Sequence, residues 1–190
     1  MSKQRILTTH AGSLPRPAKL VELYANRARG KPIDEDELVR EGEAATSWVV
    51  ERQREAGIHI PSDGEQLREA FFLYVQRRMT GFSGKWKRPH GDELAAYPEY
   101  ADLRRRQITN DKSVSNFTPP MATGAVTYAD RDANETELKT FAAALNEVGG
   151  DFEDAFMTAP SPGIVAAAMK NEFYSDEDAY LDALADALRI

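Results

Sequence analysis

No cysteine occurs anywhere in the 190 residues. That absence excludes a disulfide framework, a thiolate metal site and a cysteine nucleophile within this chain. Histidine is scarce as well: His10, His59 and His90 are the only three. None is paired with another at a metal-binding spacing, so no metal ligand is assigned. No apolar run approaches the roughly 18 residues that cross a bilayer, and no basic stretch followed by an apolar run opens the chain, so a cytoplasmic location without membrane contact is expected. There is no internal repeat, no low-complexity divider, and no G-x-G-x-x-G or Walker-type loop. A net charge of −7 disfavours a nonspecific nucleic-acid surface, which is normally basic. The one basic cluster, Arg104-Arg105-Arg106, follows an amphipathic stretch and reads as a solvated helix end whose cations complement the helix dipole.

What is present fits one globular domain: 42% of the residues are apolar and 29% charged. Short apolar runs alternate with longer helical patterns, the arrangement of strand-helix units on a parallel sheet. Residues 5–9 form a first strand ending at a Gly- and Pro-rich turn, followed by a helix over 19–29. Pro32 and the acidic residues 34–37 open a long helix to about Ala56, with Leu38, Ala45, Trp48, Val49, Arg52 and Ala56 on one face. Residues 58–62 are a second strand leading into Asp63-Gly64-Glu65-Gln66 and a helix carrying Phe71, Phe72, Val75 and Met79. The stretch 81–116 is too long for an ordinary connection and is expected to be an insertion or loop holding one helix. Residues 121–128 read as a third strand, and Asn134 with Glu137 as the cap of a helix through Val148. Residues 152–159 read as a fourth strand, with Pro160-Ser161-Pro162-Gly163 as its turn and Ser175 capping a last helix. The predicted class is therefore α/β, of the (β/α)8 barrel type, with about the first four βα units present. Half a barrel leaves strand edges and an inner face uncovered. The chain is accordingly expected to be a truncated product, or to pair with a second copy or a companion chain.

In such a barrel the site is assembled from loops at the carboxyl ends of the strands. Two motifs lie there. In Thr8-Thr9-His10-Ala11-Gly12-Ser13-Leu14-Pro15-Arg16-Pro17, Gly12 permits close backbone approach and Ser13 supplies a hydroxyl. In Ser62-Asp63-Gly64-Glu65-Gln66, two carboxylates and an amide surround a glycine. That group can receive an amine, hold a metal through oxygen, or move a proton. It can equally be a helix N-terminus capped by Asp63, and spacing alone does not choose.

These segments resemble the cobalamin-independent methionine synthase family. The first is similar to its Gly-Ser-Leu/Phe-Pro strand-turn, and Asp63-Gly64-Glu65-Gln66 stands where the family has its Gly-Glu motif. Thr118-Pro119-Pro120-Met121-Ala122-Thr123-Gly124 resembles its proline-led third strand, and Phe156-Met157-Thr158-Ala159-Pro160 its Leu-Thr-Gly-Pro turn. The resemblance implies that this chain is the N-terminal half of a zinc-dependent methyl or alkyl transferase of the methionine-synthesis type. Gly12 and Ser13 would hold the amino-acid part of a homocysteine-like thiol, and Glu65 would accept its ammonium. Zinc would make the thiol nucleophilic, but the family's ligands come from later strands, so the chain alone should be inert. The folate-using members carry a Trp just after the fourth-strand turn, where this sequence has Ala166. That departure leaves the alkyl donor open, with the epoxyalkane–coenzyme M transferases among the relevant relatives. A rival reading is a non-catalytic small-molecule binding or partner-interaction module built on the same half barrel. A phosphate or sugar enzyme on a barrel ranks last, since fold alone does not carry function.

Overall fold

The computed structural model describes residues 6–86, 96–108 and 118–189. Its elements in chain order are α1 (Ala18–Ala28), α2 (Glu35–Glu55), α3 (Val75–Arg78), β1 (Phe82–Ser83), α4 (Pro98–Ile108), β2 (Met121–Ala122), α5 (Arg131–Val148), α6 (Pro162–Ala168) and α7 (Glu177–Leu188). The class is mixed α/β and helix-rich. Parallel pairing is reduced to isolated bridges, Thr9 with Ile60, Ser62 with Phe156, and Ala122 with Asn171. The 58–62 segment is thus flanked on one side by the chain around Thr9 and on the other by the chain around Phe156.

This order corrects the expectation of four successive βα units. The 121–128 segment does not lie between the second and fourth strands. Instead β2 pairs antiparallel with β1, Phe82 opposite Ala122 and Ser83 opposite Met121, and Tyr128 bridges Met79 in the same sense. The cause sits at Gly81, whose φ is +87°. Its carbonyl accepts from both Thr123 N (2.8 Å) and Gly124 N (3.1 Å), and a Cβ there would lie 2.6 Å from the Ala125 carbonyl oxygen. Only glycine permits that approach, and it draws 121–128 back onto 79–83. Of the 81–116 stretch, the described parts include β1 and the single helix α4; residues 87–95 and 109–117 lie outside the described residues, as does Arg5 of the first strand.

Helix α2 is set by its sequence signals: Asp34 caps it through Glu37 N at 3.0 Å, and Glu35, Asp36 and Glu37 occupy the first turn, where carboxylates favour the dipole. Its buried face carries Leu38, Ala45, Thr46, Val49, Val50 and Gln53. Trp48, predicted on that face, is 43% exposed. The face packs on α1 through Leu20, Leu23 and Tyr24 and on α5 through Phe141 and Ala144. A separate core joins Leu73, Val75 and Met79 to Val165, Met169, Tyr180 and Leu184.

Three local expectations are corrected by side-chain chemistry. Asp130, not Asn134, caps α5, accepting from Ala133 N at 3.0 Å. Asp176, not Ser175, caps α7 through Ala179 N at 2.8 Å, while Ser175 donates to the Asp176 carboxylate. In both cases the aspartate stands one turn earlier or one residue later than the residue read from the pattern, and its charge makes it the stronger acceptor. The helix expected after Gln66 is confined to the four residues of α3, because residues 64–67 and 71–74 form turns. No helix among the described residues is long and apolar enough to cross a membrane.

Candidate functional site

The two predicted motifs meet. Gly64 and Glu65 are consecutive left-handed residues, with φ of +60° and +56°. For glutamate this conformation costs on the order of 1 kcal/mol or more, so the surroundings must hold it. Leu14 N donates to Gly64 O at 3.0 Å, and a Cβ on Gly64 would press to 2.9 Å of the Leu14 Cβ. Arg16 reaches across with one guanidinium nitrogen, donating to Glu65 O at 2.8 Å and Arg68 O at 2.7 Å. Tyr24 donates from its hydroxyl to Gln66 O at 2.8 Å; burial holds its pKa well above the ordinary phenol value, so it remains a donor. From the other side, Gln53 clamps Ser62, giving its amide to Ser62 O (2.8 Å) and accepting from Ser62 N (3.0 Å).

The side chain of Glu65 is 1% exposed, and each of its oxygens has a hydroxyl donor. Ser13 donates to Oε2 and Thr158 to Oε1 at 2.8 Å. Ser13 is itself exposed, so one donor to the buried carboxylate can be reached from solvent. Gly12 takes φ +82°, yet a Cβ there would meet nothing within 4 Å. Its requirement is the turn conformation, and the space beside it is open. Of the three predicted site residues, Ser13 and Glu65 are in contact, and Gly12 shapes the turn that presents Ser13.

Beneath the site lies a buried ion cluster. Glu137 accepts from Arg68 Nε (3.0 Å) and Nη2 (2.8 Å) and pairs with Arg78 through its other oxygen. Both guanidinium carbons lie 4.5 Å from the Tyr74 ring centroid. Burial opposes the charge on Arg68, but the hydrogen bond and charge of Glu137 more than offset it, so the Arg68 pKa stands above its ordinary value. Arg68 also donates to Thr158 O at 2.5 Å, which ties the cluster to the residue holding Glu65. Thr158, Arg16, Arg68 and Glu137 were not assigned from sequence. Thr158 and Arg16 stand within the 156–160 and 8–17 segments without a signal of their own, and Glu137 resembles a capping-box glutamate.

Asp63 is not a helix cap, since its carboxylate accepts from Glu65 N at 3.2 Å within a turn. Burial raises its pKa above the usual carboxylate value, with Arg68 opposing. A raised native-state pKa means that protonation favours the fold: the contribution is complete below the unfolded value of about 3.9 and is lost as pH rises through the native value. Asp63→Asn should therefore be more stable than the parent at neutral pH and equal to it in acid. Urea unfolding of both proteins from about pH 3 to 8 checks this; a variant equally or less stable at neutral pH would overturn it.

The residues present do not fit zinc. Among the described residues no group of three or more His, Cys, Asp or Glu side chains could hold a metal ion. His59 Nδ1 is engaged by Thr8 N (3.1 Å) and Thr8 Oγ1 (2.8 Å), and His90 lies outside the described residues. Ala166 is buried in the core with Val165, Met169, Tyr180 and Leu184 and offers no stacking surface.

No family model matches the chain. A methionine synthase from Pyrococcus furiosus is 30% identical over 155 residues, covering 74% of this chain and 45% of the relative. One from Thermococcus kodakarensis is 36% identical over 140 residues, covering 67% of this chain and 41% of the relative. The chain thus spans less than half the length of these curated relatives. In fold it is similar to a B12-independent methionine synthase from Shewanella sp. W3-18-1 solved in complex with selenomethionine, with a TM-score of 0.63 at 19% identity over 95% of this chain and 45% of that one. A putative vitamin-B12 independent methionine synthase from Listeria monocytogenes gives a TM-score of 0.57 at 19% identity, covering 96% of this chain and 47% of that one. Sequence and fold agree that the chain belongs to a cobalamin-independent methionine synthase-like family, of whose relatives it represents a part.

Proposed function

We propose that this chain is the thiol-binding part of a methyl or alkyl transferase, the N-terminal half of a (β/α)8 barrel that binds a homocysteine-like amino acid. The observation that carries the reading is Glu65, a buried carboxylate held in a left-handed backbone by Arg16 and the Leu14–Gly64 contact, with the exposed Ser13 hydroxyl on one oxygen. A carboxylate already desolvated and aimed requires little reorganisation to receive an ammonium group. As the ammonium arrives, the Ser13 hydroxyl can turn to the ligand's carboxylate, because a hydroxyl both donates and accepts. Open space beside Gly12 leaves room for the amino-acid backbone. Orientation of the ligand is the whole of this chain's part; metal activation of the thiol would be supplied from outside its described residues.

The relatives' greater length and the three short parallel segments at Thr9, 60–62 and Phe156 support a companion for the sheet. That companion would be the remainder of the fold, or a second copy. The first experiment is calorimetric titration of the chain with homocysteine, alone and after mixing with a polypeptide carrying the remaining half of a full-length relative, with light scattering and zinc analysis of each sample. The expected result is a zinc-free, self-associated chain that becomes a one-to-one complex on mixing and then binds homocysteine. A monodisperse monomer carrying stoichiometric zinc would defeat the proposal, and so would a well-formed complex that does not bind the amino acid.

A further inference from the structure

The two carboxylate oxygens of Glu65 stand in unequal surroundings. Oε2 receives Ser13, which is exposed and follows Gly12, where a Cβ would meet nothing within 4 Å. Oε1 receives Thr158 Oγ1 at 2.8 Å, and the chain around that threonine is tied down twice. Phe156 N donates to Pro61 O at 3.2 Å, beside the parallel bridge between Phe156 and Ser62. Arg68 Nη1 donates to Thr158 O at 2.5 Å, and Arg68 is itself buried and paired with Glu137. Threonine is also β-branched, which restricts its own χ1. One oxygen thus meets a donor in an exposed turn, the other a donor fixed by sheet pairing and a buried ion pair.

The plainer reading is that Thr158 only satisfies a buried acceptor, as nearly all buried polar groups are satisfied. The geometry of a carboxylate asks for more. Rotation about the last bond of glutamate, χ3, is broad and lacks sharp staggered wells, so the plane of the carboxylate is set by its donors. Ser13 and Thr158 set it together while both are engaged. Once the Ser13 hydroxyl turns to a ligand's carboxylate, Thr158 is the remaining hydroxyl donor to Glu65 among the described residues. The oxygen offered to an ammonium group, and its direction, then follow from Thr158.

We propose that Thr158 is a positioning residue that sets the chirality of the amino acid: by holding Oε1, it presents Oε2 and the Ser13 hydroxyl as a fixed pair to the ammonium and carboxylate of one enantiomer. Two substituents of the α-carbon are placed in this way, so the two enantiomers send their side chains in different directions. The inference rests on the thiol reading and deepens it. It is tested by calorimetric titration of the full chain, alone and mixed with the remaining half as above, with L-homocysteine and with D-homocysteine. Parent, Thr158→Val and Thr158→Ser are compared, with Tm measured for each. The parent should prefer one enantiomer by about tenfold or more. Thr158→Val keeps the branched shape without the hydroxyl; it should weaken the preferred enantiomer about tenfold and leave the other within about twofold, so that the preference collapses. Thr158→Ser returns the hydroxyl and should restore most of the preference. A threonine that only supports the fold would lower both affinities by one factor, or neither, and that result overturns the proposal. A parent that binds the two enantiomers equally overturns it too, and that measurement needs no variant to fold. A parent that binds neither enantiomer in either state defeats the thiol reading itself, and this inference with it.

Discussion

Glu137→Ala should cost about 3–5 kcal/mol of folding stability, because it leaves two buried guanidinium groups without their counter-ion. Arg68 and Arg78 have side-chain exposures of 4% and 7%, too little for water to replace the lost carboxylate. The Tyr74 ring beneath both compensates only in part; cation–π attraction at desolvated sites is worth roughly 2 kcal/mol. For a chain of this length each kcal/mol corresponds to about 2–4 °C in Tm, so thermal unfolding should fall by about 10 °C. Glu137→Gln keeps the shape and at least one acceptor and should lose less. A comparison fixes the mechanism: Arg40→Ala, which removes an exposed partner 3.9 Å from Asp34, should lie within about 0.5 kcal/mol of the parent. If Glu137→Ala unfolds at the parent temperature, the cluster is not a structural requirement.

The same substitution should reach the site. Arg68 holds Thr158 by its carbonyl and Arg16 by its own carbonyl, and these two residues hold the side chain and the backbone of Glu65 respectively. Loosening Arg68 therefore frees a left-handed glutamate to relax toward an ordinary conformation. Buried ion clusters contribute more to specificity of structure than to net stability in several systems, and here the specific structure is the Glu65 turn.

How much of this was legible depended on how local the signal was. The acidic opening of α2 and the spans of α1 and α5 follow from neighbouring residues, and the structure has them within a residue or a few; the strand read at 58–62 is reduced to the bridged residues Ile60 and Ser62. The Ser13–Glu65 contact was legible only as two motifs at strand ends; that they touch depends on residues separated by 52 positions. The antiparallel return of 121–128 was not legible, because a β-branched and apolar run is the same whether its partner is parallel or antiparallel. Gly81 was the one residue that could have betrayed it, and a glycine in a turn carries many meanings. Glu137 failed for the opposite reason: a strong local pattern, the capping box, explained the residue too well. Nothing in the sequence shows that Arg68 and Arg78 converge on it from 69 and 59 residues away.

In the reassembled protein, Glu65→Gln should weaken binding of a homocysteine-like thiol about 10- to 100-fold. A hydrogen bond to a charged group is worth about 1.5–3 kcal/mol, and every 1.4 kcal/mol is tenfold in affinity. The amide also introduces a new conflict, since its NH2 would face one of the hydroxyl donors, Ser13 or Thr158, that now point at carboxylate oxygens. Ser13→Ala removes a neutral donor and should cost only severalfold. Because the two side chains touch, the losses should not add, and the double variant should bind better than the product of the two single losses implies. Calorimetry on the four proteins, with the parent and each variant shown to have the same Tm, separates recognition from folding. Unchanged affinity in both single variants would mean that this carboxylate is structural: a turn stabilised by two hydroxyls, with the amino acid bound elsewhere. Loss in Glu65→Gln with unchanged affinity in Ser13→Ala would place the ammonium on Glu65 but remove Ser13 from the ligand's path. The predicted coupling is the result expected if Ser13 and Glu65 act as one unit in binding the ligand.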